Sequence, residues 1–108
     1  MSLPHESGAS ATAVPTGDDQ TTWRIDLRGQ LDLASVAEVH ACIEEVLAHR
    51  PQRIVIDLSE LSFMDSTGIE LLLSAAQHVE SVELRHPSDI IRSVIESTGL
   101  SELLRIAP

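Results

Sequence analysis

The chain has 108 residues, 43% of them hydrophobic, and a formal net charge of −10, which fits one globular domain and excludes a disordered chain. Its 17 acidic and 7 basic side chains would repel phosphates, and one tryptophan and one phenylalanine offer almost no stacking surface, so nucleic acid and anionic membranes are disfavoured as partners. No apolar stretch is long enough to insert into a membrane as a span, and the amino terminus lacks the pattern of a signal peptide.

The first 20 residues are rich in Ser, Ala, Thr, Gly and Pro, and we expect a flexible segment at residues 1–20 that precedes a domain over residues 21–108. Within this segment, residues 11–14 are a candidate edge strand, and residues 15–19 have the composition of a turn. Residues 22–28 then alternate apolar with polar side chains, which predicts a strand with one buried face.

A helix follows this strand. Ser35 and Glu38 have the spacing of a capping box at its amino end, and Pro51 stops it. Apolar side chains recur between these points at helical spacing: Val36, Val39, Ile43, Val46 and Leu47.

The next predicted strand is the β-branched run at residues 53–58. Because it is apolar on both faces, we expect it to be buried on both faces. A second helix begins near residue 66, where Thr67 and Glu70 can form a capping box and Ser66 is the rival N-cap. Its apolar stripe consists of Ile69, Leu72, Leu73, Ala76 and Val79.

The last third of the chain holds one more strand and one more helix. Residues 82–84 are the strand, Pro87 and Ser88 open the helix, and Gly99 stands where a carboxy-terminal glycine would. We expect the helix to be buried through Ile90, Ile91, Val94 and Ile95. The remaining apolar residues fit a turn and a last strand: Leu100, Leu103, Leu104 and Ile106.

This order of elements predicts an α/β fold, with one mixed, mainly parallel sheet of about four to five strands and helices packed on it. Functional sites in such folds lie beyond the carboxyl ends of the strands. The loops at residues 29–34, 59–68 and 85–88 all leave strand ends, so we expect them to share one face of the domain.

The most informative motif is the tetrapeptide Asp65-Ser66-Thr67-Gly68, which places two hydroxyls and a carboxylate at the amino end of a helix. Ordinary helix capping explains such residues. A phosphate acceptor explains them equally well, because a phosphoserine there would meet free backbone N–H groups and the positive end of the helix dipole. From spacing alone, both interpretations stay open.

No residue pattern indicates an enzyme. No nucleophile stands at a recognisable spacing from a base and the glycines are spread singly, so we expect no catalytic residue, no cofactor and no metal. Of the scattered histidines, only His86 falls at a strand end on the expected functional face. Cys42 lies beside the first apolar stripe and can form no internal disulfide, which favours packing in a reduced, cytoplasmic protein. We expect neither Trp23 nor Phe63 to be free to anchor an interface.

Three segments, residues 29–32, 54–68 and 90–100, resemble the STAS domain of bacterial anti-sigma-factor antagonists. The resemblance covers roughly residues 22–104, and it implies that Ser66, the serine after the aspartate, is the phosphorylated residue. It also implies a partner surface formed by Asp32, Leu33, Asp65, Ser66, Thr67, Gly68 and Ile69.

By the same resemblance, the partner is an anti-sigma factor with serine-kinase activity. The unphosphorylated antagonist would bind it, phosphorylation would release it, and a phosphatase would reset the system. The alternative is a STAS interaction module without phosphorylation, acting as a subunit of another assembly such as a lipid-transport or stress-signalling complex.

The sequence departs from the family pattern in two places. The stretch after Gly68 is short by several residues, so the second helix or its exit loop is trimmed, and the usual final helix has no counterpart. Without that helix, Leu100, Leu103 and Ile106 can be partly exposed, to be covered in a homodimer or by another protein.

Overall fold

A computed structural model describes residues 8–17, 21–97 and 104–106 of the chain. Strands and helices alternate after the first strand, as the sequence predicts. The elements in chain order are β1 (Ala9–Thr16), β2 (Thr22–Leu31), α1 (Val36–Ala48), β3 (Arg53–Met64), α2 (Ser66–Ala76), β4 (Ser81–Arg85), α3 (Asp89–Ser97) and β5 (Leu104–Ile106).

The five strands form one sheet in the order β1-β2-β3-β4-β5. β1 is antiparallel to β2, and every other neighbouring pair is parallel. The predicted α/β fold with a mixed, mainly parallel sheet is therefore confirmed. The edge strand is longer than residues 11–14, because its pairing with β2 runs without interruption from Ala9 opposite Gly29 to Thr16 opposite Thr22.

The helices cover only one face of the sheet, and the prediction that the third strand is buried on both faces is wrong. In β3, Ile54, Ile56 and Leu58 are buried, whereas Val55 and Asp57 on the opposite face are only half-buried. The strand order explains this. The chain moves from β2 to β5 always in the same direction, and right-handed crossovers in one direction place all their helices on the same side of a sheet.

The carboxy-terminal region agrees with the sequence where the structure describes it. The Ser88 hydroxyl accepts a hydrogen bond from the Ile91 N–H at 3.2 Å, so Ser88 opens α3 as expected. Leu104–Ile106 is the predicted last strand. Gly99, Leu100 and Leu103 lie outside the described residues, as do residues 1–7 and 18–20 of the predicted amino-terminal segment.

Among the described residues, no helix has the length and apolar character required to cross a membrane. None of their His, Cys, Asp and Glu side chains form a group of three or more that could hold a metal ion.

Candidate functional site

The candidate site lies where β2 and β3 end side by side. Leu31 is paired with Met64 at the end of the two strands, and the Asp65 N–H donates to the Leu31 carbonyl at 3.2 Å. Asp32 and Asp65 are the next residues of their strands, so the structure brings together the two loops that the sequence places on one face.

Asp65 is the N-cap of α2. Its backbone is extended, with φ −102° and ψ −171°, and its Oδ1 accepts hydrogen bonds from the N–H groups of Thr67 at 2.9 Å and Gly68 at 3.3 Å. The prediction that Ser66 or Thr67 is the N-cap is therefore wrong. The pairing of Leu31 with Met64 ends β3 at Met64, so the residue between strand and helix is Asp65, which is one residue before Ser66 and two before Thr67.

Because Asp65 caps α2, the Ser66 hydroxyl is not needed to bind the N–H groups at the start of the helix. Ser66 is the first residue of α2 and is exposed. No described residue forms a hydrogen bond with its side chain. The hydroxyl consequently stands free at the positive end of the helix dipole, next to a carboxylate.

Asp32 shapes the neighbouring turn. Its Oδ1 accepts hydrogen bonds from the Ala34 and Ser35 N–H groups, each at 3.1 Å. The Ser35 hydroxyl donates to the Gln30 carbonyl at 2.7 Å and accepts from the Asp32 N–H at 3.1 Å. Ser35 therefore makes no side-chain cap to α1, and the predicted capping box with Glu38 is wrong, because this hydroxyl is committed to the turn.

The seven predicted partner-binding positions differ in accessibility. Leu33, at the tip of the Asp32 turn, is 75% exposed, whereas Ile69 is 2% exposed and belongs to the core. Gly68 is also buried, and a Cβ atom there would lie 2.6 Å from Met64 Cγ and 2.9 Å from Leu31 Cγ. Gly68 and Ile69 hold α2 against the strand ends, beneath the surface that Ser66 and Leu33 present.

Phe63 belongs to this surface, although we expected it not to be free. It is 43% exposed, because a register shift between Gly29 and Gln30 leaves Ser62 as an extra residue in β3. Such a β-bulge re-aims the side chains that follow it. Leu61 and Met64 are the buried residues around the bulge, and this three-residue apolar spacing is a sequence signal that breaks the period of a regular strand. Trp23 is buried at 9% exposure, as expected.

A third exposed apolar side chain follows the next strand, β4, which ends opposite Asp57. Ile90, in the first turn of α3, is 65% exposed, and α3 follows the carboxyl end of β4. Leu33, Phe63 and Ile90 thus lie near the carboxyl ends of three successive strands. We call these three residues the apolar rim; sequence patterning missed Phe63 and Ile90 because both fall within apolar spacings that also fit a core.

His86, the histidine singled out by its position, also lies at a strand end. It follows β4 directly and has a positive φ of 57°. Burial alone would raise the pKa of Asp57, but hydrogen bonds from Ser59 and the charges of Arg24 and His86 outweigh burial and hold that pKa below its usual value. The charged group that His86 acts on is therefore Asp57, on the face of the sheet that carries no helix.

Cys42 is half-buried on α1. Burial, together with the nearby charge of Glu45, raises the pKa of its thiol. A raised pKa lowers the thiolate fraction at neutral pH, which agrees with the expected packing role.

Known proteins that are similar to this chain include anti-sigma-factor antagonists. The anti-sigma-F factor antagonist RsfB of Mycobacterium tuberculosis is 27% identical over 103 residues, which cover 93% of this chain and 84% of that protein. The crystal structure of an anti-sigma factor antagonist from Mycobacterium paratuberculosis has the same fold, with a TM-score of 0.78, 24% identity and coverage of 92% of this chain and 86% of that chain.

The anti-sigma factor antagonist SpoIIAA is similar in both of its phosphorylation states. Its unphosphorylated form matches with 30% identity and a TM-score of 0.68 over 81% of this chain and 80% of that chain. The phosphorylated form of this Bacillus cell fate determinant matches with 30% identity and a TM-score of 0.62 over 82% and 84%. A family model described as "Mlab, STAS domain" matches residues 15–105. The resemblance predicted from three short segments is confirmed, and the chain belongs to the STAS domain family.

Proposed function

We propose that this chain is an anti-sigma-factor antagonist that acts in the cytoplasm and is switched by phosphorylation of Ser66. In the unphosphorylated state it binds an anti-sigma factor with serine-kinase activity, phosphorylation of Ser66 releases it, and a phosphatase restores it. The observation that carries the proposal is the cap of α2. Because Asp65 satisfies the helix terminus, the exposed Ser66 hydroxyl is left free to accept a phosphoryl group.

The fold supports a switch that acts on the surface rather than on stability. A phosphoryl group adds about −1.5 to −2 charges at neutral pH. At Ser66 this charge meets the positive end of the helix dipole, so α2 would stay intact. The same charge lies beside Asp65 and Asp32 on a molecule of net charge −10, where it makes desolvation by a docking partner more costly.

The apolar rim supports binding in the unphosphorylated state. An acidic surface with few arginines offers little for salt bridges with an acidic partner, whereas burial of apolar area contributes about 25 cal/mol per Å². Leu33 and Phe63 are exposed where β2 and β3 end side by side, and Ser66 begins α2 at the same place. A partner that covers Leu33 and Phe63 would therefore lie next to the acceptor hydroxyl.

The test begins with phosphorylation. The full chain is incubated with ATP and the serine-kinase anti-sigma factors of its own source, and the phosphate is mapped by mass spectrometry. We expect a single phosphate on Ser66, its loss in Ser66→Ala, and normal labelling in Ser74→Ala, which removes an exposed serine from the same helix. Labelling at another residue, or of no residue with any of these kinases, contradicts the switch.

A binding experiment separates the switch from the alternative function. We expect Ser66→Asp to weaken binding to the anti-sigma factor, and Ser74→Asp to leave it unchanged. Equal affinity of wild type and Ser66→Asp would instead favour an interaction module that is not phosphorylated and serves as a subunit of another assembly.

A further inference from the structure

The face of the sheet that carries no helix concentrates the positive charge of the molecule. All seven basic residues are arginines, and the strand registers place five of them on this open face. They are Arg24, Arg28, Arg53, Arg85 and Arg105. The carboxylates on the same face are Asp26, Asp57, Glu60 and Glu83. The open face thus has a small positive net charge, on a chain whose formal net charge is −10.

A groove of about 260 Å³ crosses this face. It is lined by residues of β1 to β4: Thr16, Thr22, Arg24, Arg53, Val55, Glu83 and Arg85. Three guanidinium groups and two hydroxyls therefore surround the groove, against a single carboxylate. None of these residues is one of the seven predicted partner-binding positions or part of the apolar rim. We call this feature the arginine groove.

Two of the three guanidinium groups form ion pairs with carboxylates on the same face of the sheet. Arg24 donates from Nε to Asp26 at 2.8 Å and from one terminal nitrogen to Asp57 at 3.3 Å. Arg85 donates from Nε to Glu83 at 2.6 Å. These ion pairs orient the two planar guanidinium groups over the sheet. Each arginine keeps terminal N–H groups that can donate to a ligand.

The third guanidinium group, that of Arg53, has no ion pair with any described residue, and its side chain is exposed. The Thr16 hydroxyl donates to the Thr22 carbonyl at 3.2 Å, whereas the Thr22 hydroxyl has no hydrogen-bond partner among the described residues. The arginine groove thus combines oriented donors with an arginine that has no ion pair, and a hydroxyl that has no hydrogen bond, within the described part of the chain.

We propose that the arginine groove is a binding site for a phosphate group, carried by inorganic phosphate or by a small phosphorylated metabolite. Guanidinium groups bind phosphate oxygens in a planar, bidentate fashion, and three of them suit an anion with several acceptor oxygens. The volume is below the range of about 300–1,000 Å³ that is usual for drug-sized ligands, so the ligand is small. This site is independent of the proposed function at Ser66.

The proposal is tested by NMR titration of the full chain at constant ionic strength. The titrants are sodium phosphate, glycerol phosphate and, as the ionic control, sodium chloride. We expect saturable shifts with either phosphate at residues of the arginine groove, with a millimolar dissociation constant, and none with chloride. Tighter binding of glycerol phosphate identifies a phosphorylated metabolite as the ligand class, and equal affinity identifies free phosphate.

Two arginine variants distinguish a specific phosphate site from general electrostatic attraction to the positively charged face. Arg53→Gln removes the unpaired guanidinium of the groove and should weaken phosphate binding about tenfold. Arg105→Gln removes the same charge from the same face outside the groove and should change affinity less than about twofold. Ser66→Ala should bind phosphate as the wild type does.

Three results would overturn the proposal. They are shifts that do not saturate, shifts reproduced by chloride, and equal losses of affinity in Arg53→Gln and Arg105→Gln. Circular dichroism of each variant is the control for folding. Thr22→Val, which removes the unpaired hydroxyl, gives a second measurement at the same groove and should also weaken binding.

Discussion

Replacing Gly68 by alanine tests whether α2 is held close to the strand ends. A Cβ atom at this position would lie 2.6 Å from Met64 Cγ, 2.9 Å from Leu31 Cγ and 3.0 Å from Leu31 Cδ2. Both neighbouring side chains are buried, so neither can move into solvent to make room. We therefore expect α2 to shift outward at its amino end, where Ser66 is located.

The magnitude follows from two opposing effects. Overpacking a closely packed core costs about 1–3 kcal/mol, whereas exchanging glycine for alanine within a helix gains at most about 1 kcal/mol. These two values bracket the net loss for Gly68→Ala between about 0 and 3 kcal/mol of unfolding free energy, and contacts under 3.0 Å with two buried side chains favour the middle of that range, about 1–2 kcal/mol. In a domain of this size, such a loss corresponds to a fall in Tm of about 4–16 °C.

Urea unfolding and calorimetry measure this loss directly. Ser74→Ala is the matched control, because it adds alanine to the same helix at an exposed position and should be neutral or slightly stabilising. A Gly68→Ala variant as stable as the wild type would refute the close contact. The rate of Ser66 phosphorylation should also fall in this variant, since the acceptor is displaced.

Four further predictions concern single side chains. Asp65→Ala should lower the unfolding free energy by about 1 kcal/mol through loss of the cap, whereas Ser66→Ala should change it by less than about 0.5 kcal/mol in the same urea titration. Ser66→Asp should weaken binding to the anti-sigma factor about 100-fold, or about 2.7 kcal/mol by calorimetry, while Ser74→Asp should not. Because the pKa of Asp57 is lowered in the folded protein, its ionised carboxylate stabilises the fold at pH values above the ordinary pKa of 3.8. The unfolding free energy lost in Asp57→Asn should therefore be constant near neutral pH and vanish as pH falls below that value. Cys42 should react with iodoacetamide at pH 7.5 more slowly than a free cysteine, because the pKa of its thiol is raised.

Each of these predictions has a contrary result. Equal stability of Asp65→Ala and wild type would show that the Asp65 cap does not stabilise α2. A large loss of stability in Ser66→Ala would show that the Ser66 hydroxyl does. An Asp57→Asn difference that grows in acid would reverse the sign of the pKa shift. Alkylation of Cys42 as fast as that of a free thiol, in protein that is still folded, would show that burial does not protect it.

Local patterns in the sequence predicted the elements well, and they failed where the answer depends on distant parts of the chain. Apolar alternation over residues 22–28 identified β2, because the period of a strand is a local property. Burial of β3 was predicted wrongly because the run at residues 53–58 is not apolar throughout. Only Val55 is apolar on its second face, between Arg53 and Asp57, and that face is open, since the uniform direction of the crossovers places every helix opposite.

The candidate site shows the same limit at the scale of single residues. The sequence placed Asp32 and Asp65 at strand ends on one face, and the structure has them there. It could not decide which residue caps α2, because that depends on where β2 and β3 stop pairing. Leu31 and Met64 end the pairing together, so carboxylates rather than hydroxyls bind the turn and helix N–H groups. The exposure of Phe63 was predicted wrongly for a related reason. The bulge at Ser62 depends on how β3 pairs with β2, and the sequence of β3 alone does not determine that pairing.

The cap of α2 by Asp65 also has a consequence for the lifetime of the protein. If the acceptor serine supported the helix, each round of phosphorylation would change the population of unfolded chains, and with it the rate of degradation in the cell. Because a neighbouring carboxylate carries that role, both forms of the chain would be equally poor substrates for proteases. The quantity of antagonist and its activity could then be set separately, the first by synthesis and turnover, the second by opposing kinase and phosphatase rates.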